Sequence, residues 1–132
     1  MLTLENKIIL SWNDVIGLVD SLCDQITKNY PEIDSVHGIA RGGLIPAVLI
    51  SHKLNLPYTD DIKPNTLIVD DICDSGVTIE NAQVLSKYNA TLYHKPNEIA
   101  RPTFFGEEII TSKWVIFPWE QPDAPMKQDY LQ

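Results

Sequence analysis

Thr66-Leu67-Ile68-Val69 is an unbroken run of β-prone residues that ends on two adjacent carboxylates, Asp70 and Asp71. A run without polar alternation belongs to a strand covered on both faces, and such strands lie in parallel sheets flanked by helices. Successive strand side chains point to opposite faces, so the two acids diverge at the strand tip. Asp74-Ser75-Gly76-Val77-Thr78 follows as a turn that opens a helix. Backbone N–H groups at a helix start, together with two hydroxyls, form a pocket for a phosphate dianion. Gly76 lets the backbone approach such a ligand closely. Carboxylates beside a phosphate pocket suit a sugar phosphate, with acids on the ribose hydroxyls and amides on the 5′-phosphate. The same residue types also serve as ordinary loops and helix caps, so the rest of the chain has to support the reading.

It does so through the order of its elements. Residues 11–28 read as an amphipathic helix, with Ser11 as cap and Asp14 three positions on. Tyr30-Pro31 ends it. Residues 34–40 form a short strand, Arg41-Gly42-Gly43 a glycine turn, and Leu44 to Leu54 a buried helix with Pro46 in its first turn. Residues 55–65 carry Pro57, Asp60, Asp61, Pro64 and Asn65 and read as loop. After the Thr66–Val69 strand, helical character returns over residues 78–88, and residues 91–94 and 114–117 are two further strands. The tail after Pro118 reads as surface. The alternation predicts an α/β fold with a mainly parallel sheet flanked by helices. Ligands of such sheets bind beyond the carboxyl ends of the strands. The turn at residues 41–43 and the stretch 70–78 then face one crevice.

The chain has 132 residues, enough for a single domain spanning residues 1–132. Its net charge of −8 argues against a nucleic-acid partner, whose backbone needs a basic surface. A polyphosphate would be repelled at long range and needs a local cradle of amides, placed cations or a metal ion. Membrane spans require about 18 apolar residues, and no run approaches that length. The first residues do not read as a secretory signal. Cys23 and Cys73 lack CxxC partners and fit a reducing, cytoplasmic setting.

Competing motifs fall away. Asp70-Asp71-Ile72-Cys73-Asp74 spells the DDxxD of prenyl synthases, but those are large helical proteins and this motif follows a β run. The strand also resembles the first acidic strand of a receiver domain, for which too few residues follow. Neither GxxxxGK[ST] nor GxGxxG occurs. His37, His52 and His94 show no metal-ligand spacing.

Thr66 to Thr78 resembles the phosphoribosyl-pyrophosphate (PRPP) signature of type I phosphoribosyltransferases, with Cys73 where an aliphatic residue is usual. Ile39-Ala40-Arg41-Gly42-Gly43-Leu44-Ile45-Pro46-Ala47 resembles that family's pyrophosphate loop. His94-Lys95-Pro96, Arg101-Pro102 and Trp114-Val115-Ile116-Phe117-Pro118-Trp119-Glu120 are similar to the purine-salvage branch, most of all to xanthine–guanine enzymes. The resemblance covers about residues 35–120. It implies the type I fold and transfer of phosphoribose from PRPP to a 6-oxopurine such as guanine, xanthine or hypoxanthine. By the same resemblance, Asp70 and Asp71 bind the ribose hydroxyls, directly or through Mg²⁺, and Glu120 stands near that metal. Asp74 serves as general base or acid near purine N7. Ser75, Gly76, Val77 and Thr78 hold the 5′-phosphate, and Arg41 and Gly42 the pyrophosphate. Lys95 donates to the 6-oxo group, Trp114 stacks on the base and the Val115 backbone meets its edge. Relatives are homodimers or homotetramers.

The resemblance breaks at one place. Relatives carry a long flexible hood, usually a β-ribbon, between the second helix and the signature strand. Here residues 57–65 are all that is available. Two readings follow: a minimal purine phosphoribosyltransferase with a truncated hood, or a non-catalytic nucleotide- or PRPP-binding regulatory protein on the same fold.

Overall fold

The computed structural model of the chain describes residues 1–121; the tail beyond residue 121, expected at the surface, lies outside the described residues. The elements are β1 (Leu2–Thr3), β2 (Lys7–Ile9), α1 (Trp12–Asn29), β3 (Ser35–Gly38), α2 (Leu44–Leu54), β4 (Thr66–Cys73), α3 (Val77–Leu85), β5 (Tyr88–His94), β6 (Phe104–Glu108) and β7 (Trp114–Ile116). Strands β3, β4, β5 and β6 form one sheet in that order, every pair parallel. This is the predicted α/β architecture. Among the described residues no helix is long and apolar enough to cross a membrane.

Local chemistry explains the helix boundaries. Ser11 Oγ accepts from the Asp14 amide at 3.1 Å while Asp14 Oδ2 accepts from the Ser11 amide at 2.8 Å, so a complete capping box starts α1. Val15, Leu18, Val19, Leu22, Cys23 and Ile26 form its buried stripe. They pack with Leu67 and Val69 of β4 and Ala90 and Leu92 of β5 into the core. α2 ends where Asn55 takes up left-handed backbone (φ 53°), a conformation Asn tolerates better than most residues.

The structure corrects the sequence-based elements in three ways. First, β4 continues to Cys73, so Asp70 and Asp71 are strand residues rather than the start of a loop. Their backbones are held by pairing with β5, Asp70 opposite Thr91 and Ile72 opposite Tyr93. Second, α3 ends at Leu85 and β5 begins at Tyr88, earlier than expected. The hydroxyl of buried Ser86 donates to the carbonyls of Pro64 and Thr66, which pulls the chain out of the helix and aligns Tyr88 with Leu67. Third, the strand at 114–116 does not join the main sheet. It pairs with the start of the chain, Lys7 opposite Trp114, Ile8 opposite Val115 and Ile9 opposite Ile116, and β1 completes this small second sheet. β1, β2 and β6 were not expected from the sequence.

Residues 57–65 form no ribbon. They lie along β3: Val36 donates to Pro57 O at 2.9 Å and Thr59 donates to Val36 O at 2.8 Å. The Gly38 amide donates to the Tyr58 hydroxyl, and His37 Nδ1 sits 2.8 Å from Thr59 O. The connection is thus tied down rather than free to cover the crevice.

His94, the last residue of β5, is almost fully buried, and its Nδ1 has no hydrogen-bond partner among the described residues. Burial pushes the imidazole below its ordinary range, with Arg101 adding to the effect and Glu108 opposing it. A folded-state value below the unfolded one gives stability that is present above the unfolded pKa and lost as pH falls. Thermal unfolding followed from about pH 7 to about pH 5 is therefore expected to show a loss of stability that is smaller in His94→Leu. Equal pH slopes in the two proteins would contradict this.

Candidate active site

The carboxyl ends of β3, β4 and β5 open onto a cavity of about 630 Å³. β3 delivers Arg41 and Gly42 to it, β4 delivers Asp70, Asp71 and Asp74 with the turn after it, and β5 delivers Lys95. The small sheet closes the far side with Trp114, Val115, Phe117, Trp119 and Glu120. Residues predicted from four separate stretches of sequence are thereby brought together. Val77 is the exception, since it does not line the cavity; its place is the first position of α3.

The glycine turn packs tightly on the acidic strand. A methyl group on Gly42 would lie 2.3 Å from Asp71 Oδ2, and one on Gly43 would lie 2.2 Å from Val69 O. Both positions need hydrogen for the loop to lie against β4. The peptide between Ala40 and Arg41 is cis.

Strand alternation predicts that Asp70 and Asp71 diverge; instead their carboxyl groups meet in a side-chain hydrogen bond. Asp70 Oδ1 accepts from the Asp71 amide at 2.9 Å and Asp71 Oδ1 accepts from the Ile72 amide at 2.8 Å. Desolvation, followed by the neighbouring Asp70 charge and the more distant Glu120, pushes the Asp71 carboxyl well above the usual carboxylate range. Glu120 is itself fixed, its Oε1 accepting from the Phe117 amide at 2.9 Å.

Three carboxylates of one sign around a crevice attract a divalent cation, yet among the described residues no three His, Cys, Asp or Glu side chains form a closed metal cluster. Mg²⁺ is ordinarily held by one or two carboxylates together with water and substrate oxygens. Asp70 and Asp71, with Glu120 nearby, fit that mode of binding.

Gly76 caps α3 at φ 90°, a conformation natural to glycine, and has no side chain with which to cap the helix. Gly76 thus offers no side-chain acceptor to the first-turn amides; Ser75 and Thr78 stand on the cavity wall, and the Val77 amide meets Ser75 Oγ at 3.4 Å. Lys95 Nζ, whose side chain is only 12% exposed, lies 3.9 Å from Asp74 Oδ2 and donates to Lys113 O at 3.1 Å. Its amide donates to Cys73 O at 2.8 Å. The lysine and the aspartate are thus fixed as a pair. Trp114 is half-buried on the cavity wall, its amide donating to Asn6 O.

Several wall residues were given no role by the sequence, although they lie in the stretches that carry the resemblance. Trp119 stacks on Phe117 with ring centroids 4.9 Å apart and planes 9° from parallel, and Trp12 of α1 leans on it at 5.9 Å. Cys73 also reaches the cavity, and burial pushes its thiol up, away from nucleophilic behaviour.

No protein-family model matches the chain. Individual proteins do. A xanthine-guanine phosphoribosyltransferase from Cereibacter sphaeroides is 30% identical over 114 residues, spanning 65% of this chain and 68% of that protein. The chain belongs to the purine phosphoribosyltransferase family. A second xanthine-guanine phosphoribosyltransferase, from Chromohalobacter salexigens, is 26% identical over 135 residues, spanning 84% of this chain and 82% of that protein. The crystal structure of a purine phosphoribosyltransferase from Pyrococcus horikoshii matches with a TM-score of 0.75 and 30% identity, over 92% of this chain and 99% of that one. The fold is accordingly that of type I phosphoribosyltransferases, and of the two readings left open by the short 57–65 connection, the transferase stands.

The electrostatics of this phosphoribosyltransferase make one prediction. Asp71→Asn removes a like charge beside Asp70 and Glu120 but keeps an oxygen for the Ile72 amide. In chelator-treated buffer at neutral pH the variant is expected to melt about 2–5 °C higher than the native chain. The same variant should lose any stabilisation that magnesium and PRPP together give the native chain, measured by thermal shift.

Proposed function

We propose that this chain transfers the 5-phosphoribosyl group of PRPP to a 6-oxopurine base, releasing pyrophosphate and forming the nucleoside monophosphate. The observation that carries the proposal is the convergence in one cavity of a helix-start phosphate turn, two strand-borne acids, and the Lys95–Asp74 pair. The family assignment supports it independently.

In this reading Ser75, Gly76, Val77 and Thr78 hold the 5′-phosphate through hydroxyls and α3 amides. Asp70 and Asp71 accept from the ribose hydroxyls. Arg41 and the Gly42 backbone face the pyrophosphate. Trp114 lies against the face of the base, the Val115 backbone meets its edge, and Lys95 donates to its 6-oxo oxygen, which an amino group at that position would repel. The C1′–pyrophosphate bond breaks with both electrons leaving on pyrophosphate, and a purine ring nitrogen forms the new bond to C1′. Asp74 takes the proton that the ring loses. Magnesium, when bound by Asp70 and Asp71 and near Glu120, supplies positive charge that neutralises the leaving group.

The tied-down 57–65 connection leaves the crevice open, so stabilisation that depends on closure is small and turnover is slow. Self-association into a dimer or tetramer belongs to the same reading. Its support is exposed apolar pairs one turn apart, Trp12 with Ile16 on α1 and Leu44 with Val48 on α2. The cytoplasm is the compartment that suits its substrates and its two free cysteines.

The test is direct. Purified chain, magnesium and PRPP are incubated with guanine, xanthine or hypoxanthine, and nucleotide and pyrophosphate are measured together. Both products are expected with at least one base. Asp74→Asn should then lower turnover by about 10²–10⁴-fold while calorimetric GMP binding is retained. GMP binding without turnover on any of the three bases would overturn the transferase reading in favour of a binding protein.

A further inference from the structure

The loop after β5 contains a side chain that the proposed reaction does not use. Asn97 does not line the cavity, yet all of its polar capacity is spent locally. Its Oδ1 accepts from the amides of Ile99 and Ala100, both at 2.9 Å. Its Nδ2 donates to Lys95 O at 3.2 Å and to Cys73 Sγ at 3.5 Å. The Cys73 thiol in turn reaches Ala100 O at 3.7 Å. One amide group therefore closes the loop on itself and ties it to the ends of β4 and β5.

This knot stands directly behind the phosphate turn. A methyl group on Gly76 would come within 2.4 Å of Asn97 Oδ1 and 2.9 Å of the Ala100 amide. Gly76 has a positive φ and no side chain, so on this side the turn is positioned by what it packs against. The contact with Asn97 and Ala100 supplies the wall that fixes where the turn sits. Lys95, by contrast, has independent anchors in Cys73 O, Lys113 O and Asp74. Loosening Asn97 removes one bond at the Lys95 carbonyl but leaves the Lys95 ammonium its contacts with Lys113 O and Asp74, so the main effect falls on the phosphate end of the site.

We propose that Asn97 is a positioning residue that clamps the 95–100 loop against Gly76 and so pre-organises the turn that receives the 5′-phosphate. The proposal rests on the transferase reading above. Backbone donors bind a phosphate well only when they are held in place beforehand, because ordering them on binding lowers affinity. Removing the clamp should therefore raise the PRPP requirement selectively.

The experiment compares native chain, Asn97→Ala and Asn97→Ser, each checked for folding by far-UV circular dichroism and thermal unfolding. PRPP affinity is measured by calorimetry with magnesium present, and KM is measured for PRPP and for the purine. In Asn97→Ala the Kd and KM for PRPP are expected to rise about tenfold, as loss of interactions worth roughly one such step implies. The purine KM should stay within about twofold of native, the scale of a neutral change. Serine retains one acceptor for the loop amides and should recover part of the loss. If Asn97→Ala does not fold, Asn97→Ser must show the PRPP-selective rise by itself. Unchanged PRPP affinity in the folded variants, or equal rises for PRPP and purine, overturns the clamp and leaves the transferase reading intact. A native chain that binds no PRPP overturns that reading and the clamp with it.

Discussion

The carboxyl edge of the main sheet is organised around a repulsion. β4 carries Asp70 and Asp71 side by side into a desolvated crevice, with Glu120 arriving from the small sheet. Burial first, and then the like charges gathered there, hold the Asp71 carboxyl above its usual range, which is a cost to the folded chain. A site selected for stability alone would not keep it. The surrounding residues nevertheless preserve the arrangement: Gly42 and Gly43 leave no side chain between the 41–43 turn and the strand, so the turn lies against Asp71 and the backbone of β4. An occupant rich in hydroxyls, or a cation with an anionic substrate, relieves the repulsion. The binding chemistry of the site and its instability are thus one property, as is common where functional groups are held against local preference.

How much of this the sequence displayed depends on how local the cause was. The β4 run, the capped α1 and the apolar α2 announce themselves because their signals lie within a few neighbouring residues. The site residues that ride on them, Asp70 to Thr78 and Arg41-Gly42, were readable for that reason. β6 was not. Its sequence, Phe104-Phe105-Gly106-Glu107-Glu108, has no alternation and a central glycine. That glycine makes sense only in space, where a methyl group would lie 2.7 Å from Leu92 O and 2.9 Å from Leu18 Cδ2. β2 went unread and β7 was read as a strand without its partner, because the two pair across more than a hundred positions of chain, a separation no window of sequence contains. Asn97 was invisible for a related reason. An asparagine after Lys95-Pro96 looks like any turn residue, and only the proximity of Gly76 gives it a further role.

Those long-range pairings also explain how the Trp114 side of the cavity is built without a ribbon over it. β7 is held to the start of the chain, and the Phe117–Trp119 stack with Trp12 leaning on it makes a stiff aromatic wall anchored at the N-terminus of α1. The capping box that begins α1 therefore also steadies one face of the cavity. On the opposite side, the short 57–65 connection is stitched to β3 immediately before the 41–43 turn, including a bond from the Gly38 amide to Tyr58. Both walls are fixed by backbone pairing rather than by a segment that swings.

A fixed site and a closing site solve the same problem differently. A lid excludes water after the substrate arrives and uses binding energy to assemble the donors. A rigid crevice has its donors assembled beforehand, which lowers the ordering cost of binding but leaves the reacting carbon in contact with solvent. The acidic surface of this chain, with a net charge of −8, sharpens the distinction. It gives no long-range attraction to a polyphosphate, so on the proposed reading recognition would rest on short-range groups: the α3 amides, the 41–43 turn and a cation beside the acids. In such a design the placement of backbone at Gly76 and Gly42 matters as much as any charged side chain.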